Sequence, residues 1–179
     1  TSIGVELLLK SWKDSGNLKP LEVLGKEEVL ERYFDKAKGY FKIVKRQVNL
    51  ERVNWHIDFV TECYHGGRNE QFWFGPCFED RWTDFDLSSA YPTAMSLIGL
   101  PLWDDIKEVY DLKKFTPITL GFANVEFEFP TDTRYPTLPV RTPNGLIFPL
   151  KGASYCSASE LFVAKKLGAK LKIIRGVIV

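Results

Sequence analysis

In the stretch "DFDLSSAYP", Asp86 ends an alternating run and is followed by Ser88 and Ser89, then by Tyr91 and Pro92. A carboxylate is a hard oxygen ligand for a divalent cation. Serines before a proline mark a helix start, where the first backbone N–H groups lack intrahelical partners. Together these groups offer what a triphosphate with its cation needs, and Tyr91 adds an aromatic ring one turn on. The same local features also describe an ordinary capped helix after a strand, with Asp86 as a turn residue. A second string lies 22 residues ahead of Asp86: Tyr64, His65, Gly66 and Gly67, a paired glycine behind an aromatic. Taken singly it is a Gly-Gly turn.

The elements that must position these strings fall into two textures. Residues 1–62 read as helical: apolar positions recur at helical spacing in 3–12, in 26–41 (Val29, Leu30, Tyr33, Phe34, Ala37) and in 49–64 (Val53, Ile57, and Val60 or Phe59), the last with Asn49 as a cap. From residue 63 onward the sequence predicts loops and strands, over 81–88, 121–130, 137–142, 145–150 and 170–179. Helices interrupt them at 91–100 and 157–168, the second with a Ser-x-x-Glu start and a Gly168 stop. Helices first and an antiparallel sheet second give an α+β class: a helical N-terminal segment, then a mainly antiparallel sheet with flanking helices.

The 179 residues are 45% hydrophobic and 26% charged, enough for one sizeable core or two small ones. Formal charge is +1 overall but unevenly spread. Residues 1–60 hold 11 Lys/Arg against 9 acids, 61–110 hold 3 against 9, and 111–179 hold 10 against 5. An acidic centre between basic flanks suits cations held in the middle of a site that binds a polyanion. Three cysteines, Cys63, Cys77 and Cys156, are too few and too widely spaced for a zinc ribbon or a secreted disulfide framework. No apolar run reaches the roughly 20 residues of a bilayer span, so the expected location is cytoplasmic, with no membrane partner. The start without Met and the apolar end "IIRGVIV" read as those of a fragment.

The string Asp86-x-x-Ser89-x-Tyr91-Pro92 resembles the first palm motif of the B-family DNA polymerases. Tyr64-x-Gly66-Gly67, in this order and at this distance, resembles the YxGG loop of the protein-primed branch, found in bacteriophages and linear plasmids. The resemblance covers residues 61–179 and is firmest over 64–95, so that 63–179 is expected to be part of a palm domain and 1–62 a connection from an upstream exonuclease domain. It implies DNA-directed DNA polymerase activity, with a DNA primer-template, dNTPs and a terminal priming protein as partners, and two divalent cations, Mg²⁺ or Mn²⁺, as cofactors. Residue by residue, it implies that Asp86 is a ligand of both cations and that Leu87, Ser88, Ser89 and Ala90 hold the incoming triphosphate. It further implies that Tyr91 lies under the deoxyribose and excludes ribonucleotides, and that Tyr64, Gly66 and Gly67 touch the template strand, with Arg68 as an added phosphate contact. Ala90 departs from the usual Leu, and Asp84 stands where an apolar residue is commoner.

A second catalytic aspartate in a DTD-type motif and a KxxxNSxYG-type finger motif do not occur in these residues, nor does a DxE exonuclease pair. One aspartate cannot hold the cation pair that in-line phosphoryl transfer requires, so the isolated chain is expected to be inactive. A non-catalytic, polymerase-like DNA-binding or scaffold role is the alternative. A carbohydrate-active reading of Asp84 and Asp86 fails on geometry, because residues two apart on one strand face do not flank a sugar bond. Glu126 and Glu128 read as solvent-facing strand residues, and Lys165, Lys166, Lys170, Lys172 and Arg175 as either a solvated face or a backbone contact.

Overall fold

The computed structural model describes residues 19–78 and 82–179, with positions 6, 10, 13, 14 and 16 described singly ahead of them. The helix expected over 3–12 therefore falls largely outside the described residues. The chain divides into two compact units, Thr1–Asp58 with Leu100–Ile106, and Phe59–Gly99 with Lys107–Val179. The class is α+β, as the sequence predicts.

In the first unit a single helical turn, α1 (Pro20–Val23), leads into β1 (Lys26–Asp35), which pairs antiparallel with β2 (Tyr40–Asn49) from Lys26↔Asn49 to Asp35↔Tyr40. This hairpin replaces the helix expected over 26–41. The reason lies in the partner strand and the turn. Residues 40–48 are rich in Tyr, Phe, Ile and Val, which favour a pleated surface, and pairing recruits 26–35 despite its helical spacing. The turn is set by Asp35, whose carbonyl accepts from Lys38 N (3.1 Å) and Gly39 N (2.8 Å) and whose carboxylate accepts from Ala37 N. Gly39 takes φ +67°, a left-handed conformation that glycine adopts without steric cost. Cross-strand pairs complete the ribbon: Lys45–Glu28, Arg46–Glu31 and the Phe34–Phe41 rings with centroids 4.9 Å apart. Asn49, read as a helix cap, closes β2 instead, and α2 follows at Glu51–Cys63. The Trp103 indole N–H donates to Val23 O, and Arg52 pairs with Asp104.

The second unit is built on a four-stranded antiparallel sheet in the order β3-β8-β4-β7, with β3 at Lys107–Glu108, β4 at Gly121–Glu128, β7 at Lys151–Ser157 and β8 at Lys170–Ile178. A small hairpin, β5 (Val140–Thr142) with β6 (Gly145–Ile147), precedes β7. Alternation along β4 buries Ala123, Val125 and Phe127, which form one core cluster with Ala158, Leu161 and Ala164 of α4 (Ala158–Lys166) and with Leu138 and Cys156. The face carrying Asn124 and its register partners Tyr155 and Arg175 takes Phe59 from the end of α2: the rings of Phe59 and Tyr155 meet edge to face at 6.0 Å, and the Arg175 guanidinium lies 4.6 Å over Phe59. Helix α4 starts on the expected capping box. The Ser157 side chain accepts from Glu160 N, the Glu160 carboxylate accepts from Ser157 N, and Gly168 ends the turn with φ +81°.

The strand expected over 81–88 does not form over the described residues 82–87, which carry no regular structure. Trp82, Phe85 and Leu87 are exposed, so their alternation has no second layer to bury against. Helix α3 (Ala90–Leu97) does follow, with Pro92 in its first turn. Ser89 stands at its cap position with φ +55° and makes no side-chain capping bond, so the serine caps read from the sequence are not used.

Candidate functional site

The Tyr64–Arg68 loop carries no regular structure, and side chains from three surrounding segments fasten it. Arg141 of β5 donates through Nη2 to Tyr64 O at 2.9 Å. His65 Nε2 lies 2.7 Å from Glu160 Oε1 at the start of α4, while its Nδ1 faces Gly66 O at 2.8 Å. Arg68 donates to Pro136 O (2.5 Å) and Glu70 Oε2 (2.7 Å), and its guanidinium stacks 4.2 Å over the Phe148 ring. Its donors are thus largely committed within the protein, which narrows the room for the phosphate contact expected of it.

Gly66 and Gly67 stand differently. Neither has a positive φ, and a Cβ added at either would meet nothing within 4 Å. The fold does not need glycine here. What glycine provides is open backbone that a ligand can approach closely.

Tyr64, His65, Gly66, Gly67 and Arg68 line a cavity of about 530 Å³ together with Tyr91, Thr137, Phe148 and Glu160. Of the second string only Tyr91 reaches this concave surface, 27 residues after Tyr64. Tyr64 and Tyr91 both present exposed rings. Thr137 Oγ1 is buried and has no hydrogen-bond partner among the described residues. Asp86, Leu87, Ser88 and Ser89 are exposed and stand outside this lining, and Ala90 is half-buried. Ser89, a non-glycine residue in the left-handed region, stores on the order of 1 kcal/mol of backbone strain inside the motif.

The donor set for cations is incomplete. Among the described residues, no three His, Cys, Asp or Glu side chains are grouped to hold a metal ion. Asp86 provides one hard oxygen donor group, fitting as a ligand but not as a site. Cysteine nucleophiles are ruled out at the core positions: burial pushes the Cys63 thiol up to about 12, and burial raises Cys156 well above 9.0. Three of the five basic residues of α4 and β8 are drawn into the protein's own contacts, with Lys172 on Glu126, Arg175 on Glu108 and Lys166 over the Phe162 ring. Glu128 pairs with Lys151.

Sequence reasoning missed the residues that hold the loop. Glu160 was legible only as a helix cap, and Arg141, Phe148 and Thr137 carried no local signal, because their roles exist only once β5, β6 and α4 surround residues 64–68. No helix among the described residues is long and apolar enough to cross a membrane.

A family model described as DNA polymerase type B, organellar and viral, matches residues 38–178. The chain is 35% identical over 179 residues to a protein of Escherichia coli named primer-independent DNA polymerase PolB; the match takes in 99% of this chain and 21% of that protein's length. No solved structure matches the chain. The family match spans more than three quarters of the sequence, including both strings and the sheet beneath them, and the chain belongs to the organellar and viral type B DNA polymerases.

Proposed function

We propose that these residues form part of the palm of a DNA-directed DNA polymerase, which adds dNTPs to a primer 3′-OH on a DNA template. The observation that carries this reading is the shared cavity: Tyr91 and the open Gly66-Gly67 backbone line one concave surface in a member of this polymerase family. In this reading Tyr64, Gly66 and Gly67 touch the template strand. The backbone of Leu87, Ser88, Ser89 and Ala90 holds the triphosphate, and the Tyr91 ring blocks a 2′-hydroxyl. Residues 63–179 are the palm portion, and 1–62, hairpin included, connect it to an exonuclease domain.

Phosphoryl transfer of this kind uses two divalent cations, Mg²⁺ or Mn²⁺, to stabilise the attacking and leaving oxygens. Of the ligands such a pair needs, this chain offers Asp86 alone, so the 179 residues by themselves are expected not to extend a primer. The Escherichia coli relative is named primer-independent; carried to this chain, that name makes unprimed initiation the counterpart of initiation on a terminal protein.

The test is extension of a labelled primer-template with Mg²⁺ or Mn²⁺ by the full-length protein, by the 179-residue chain, and by full-length protein carrying Asp86→Asn, with unprimed template alongside. Extension by the full-length protein alone, lost by at least about a thousandfold in Asp86→Asn, is the expected result. A folded full-length protein that binds DNA and never extends would replace this reading with that of a non-catalytic DNA-binding scaffold.

A further inference from the structure

The loop that offers Gly66 and Gly67 is tied to α4 through one side chain, and that side chain sits where the motif pattern leaves the residue free. His65 has both ring nitrogens engaged: Nε2 faces the Glu160 carboxylate at 2.7 Å, and Nδ1 faces the Gly66 carbonyl at 2.8 Å. Both partners present acceptor oxygens, which an imidazole N–H can meet. The pair is sheltered, with 16% of the His65 side chain and 24% of the Glu160 side chain exposed. Glu160 is itself immobilised, because its other oxygen accepts from Ser157 N and Ser157 Oγ at 2.8 Å each. The chain of contacts runs from the helix cap through the carboxylate and imidazole to the carbonyl of Gly66, the residue whose open face the ligand would approach.

We propose that His65 is a positioning residue: its imidazole, set between the Gly66 carbonyl and the Glu160 carboxylate, latches the Gly66-Gly67 loop to α4 and holds it ready for the DNA backbone. This rests on the reading of the cavity as a template site. Without the imidazole the loop loses its tie to Glu160, while the helix keeps its cap because the other carboxylate oxygen stays on Ser157. Glu62 from α2, Arg141 from β5 and Tyr155 from β7 line a smaller cavity with His65, and Arg68 and Tyr64 belong to its own loop. Arg141 and Arg68 are held by Tyr64 O and by Pro136 O and Glu70, so Glu160 is the carboxylate at bonding distance.

The experiment uses the full-length protein, a fluorescent primer-template, and the variants His65→Leu, His65→Gln and Glu160→Gln. Dissociation constants are measured beside kcat and KM for template in extension assays. The expected result is that His65→Leu binds about tenfold more weakly than wild type. KM for template rises while kcat holds, and His65→Gln, which keeps a donor for one partner, recovers part of the affinity. Unchanged thermal midpoints separate this outcome from misfolding. Wild-type affinity in His65→Leu would overturn the latch while leaving the polymerase reading intact. Full-length wild-type protein that binds no primer-template at all would overturn both.

Discussion

At the scale of single residues, the two core thiols make the sharpest pH prediction. The folded state raises the Cys63 thiol to about 12 and the Cys156 thiol above 9.0, in both cases chiefly through burial. Below pH 9 both thiols stay protonated whether the chain is folded or not, so their contribution to stability is fully present. Above that pH the unfolded chain releases protons that the folded chain keeps, and stability is lost as pH climbs from 9 toward 12. Thermal midpoints measured from pH 7 to 11 should therefore fall, with a shallower fall in a Cys63→Ala, Cys156→Ala variant. Thiol titration of the native protein should modify the exposed Cys77 quickly and the two buried thiols only on unfolding. At Tyr91, Tyr91→Val should increase ribonucleotide incorporation by the full-length protein at least tenfold with dNTP use retained; unchanged discrimination would remove the sugar-gate role.

At the scale of elements, Gly66 and Gly39 make a matched pair of tests. Gly39→Ala places a side chain at φ +67° in the β1–β2 turn and should cost about 1 kcal/mol, read as a lower denaturation midpoint. Gly66→Ala meets neither a positive φ nor a neighbouring atom, so stability should stay within about 0.5 kcal/mol. Its DNA affinity should nevertheless drop several-fold, because the methyl group occupies the face the ligand approaches. The same elements show what was legible beforehand. β4 announced itself by strict alternation, and α4 by Ser157, Glu160 and Gly168, since both signals are local. The helical spacing of Val29, Leu30, Tyr33 and Phe34 predicts a helix over 26–41, where β1 and its turn form instead. Only the ten-residue register with β2 shows why that spacing is overridden. The run 82–87 failed in the opposite sense, with strand-like alternation that has no layer to bury it.

At the scale of the whole molecule, the division of labour is between groups this chain holds and groups it lacks. It positions an open glycine loop and a tyrosine on one cavity but brings a single motif carboxylate, so activity is expected to depend on the full-length protein. The chain spans about a fifth of the length of its Escherichia coli relative. Mixing the 179-residue chain with primer-template should give weak, salt-sensitive binding without extension, measured by anisotropy at 50 and 200 mM salt. Extension by this chain alone would show that a single motif carboxylate is enough.

Legible in the chain alone were the likeness to the type B polymerase family, the α+β class, the core strands of the second unit and the capped helix beside them. These follow from residue type and short spacing, which act through local backbone preference and burial. The tertiary structure decided the hairpin, the fate of the serine caps, and the use of Arg68, His65 and Glu160. His65 and Glu160 lie 95 positions apart in the chain and 2.7 Å apart in space. A pairing of that kind depends on how separate elements fold back on one another, and no window of local sequence contains it.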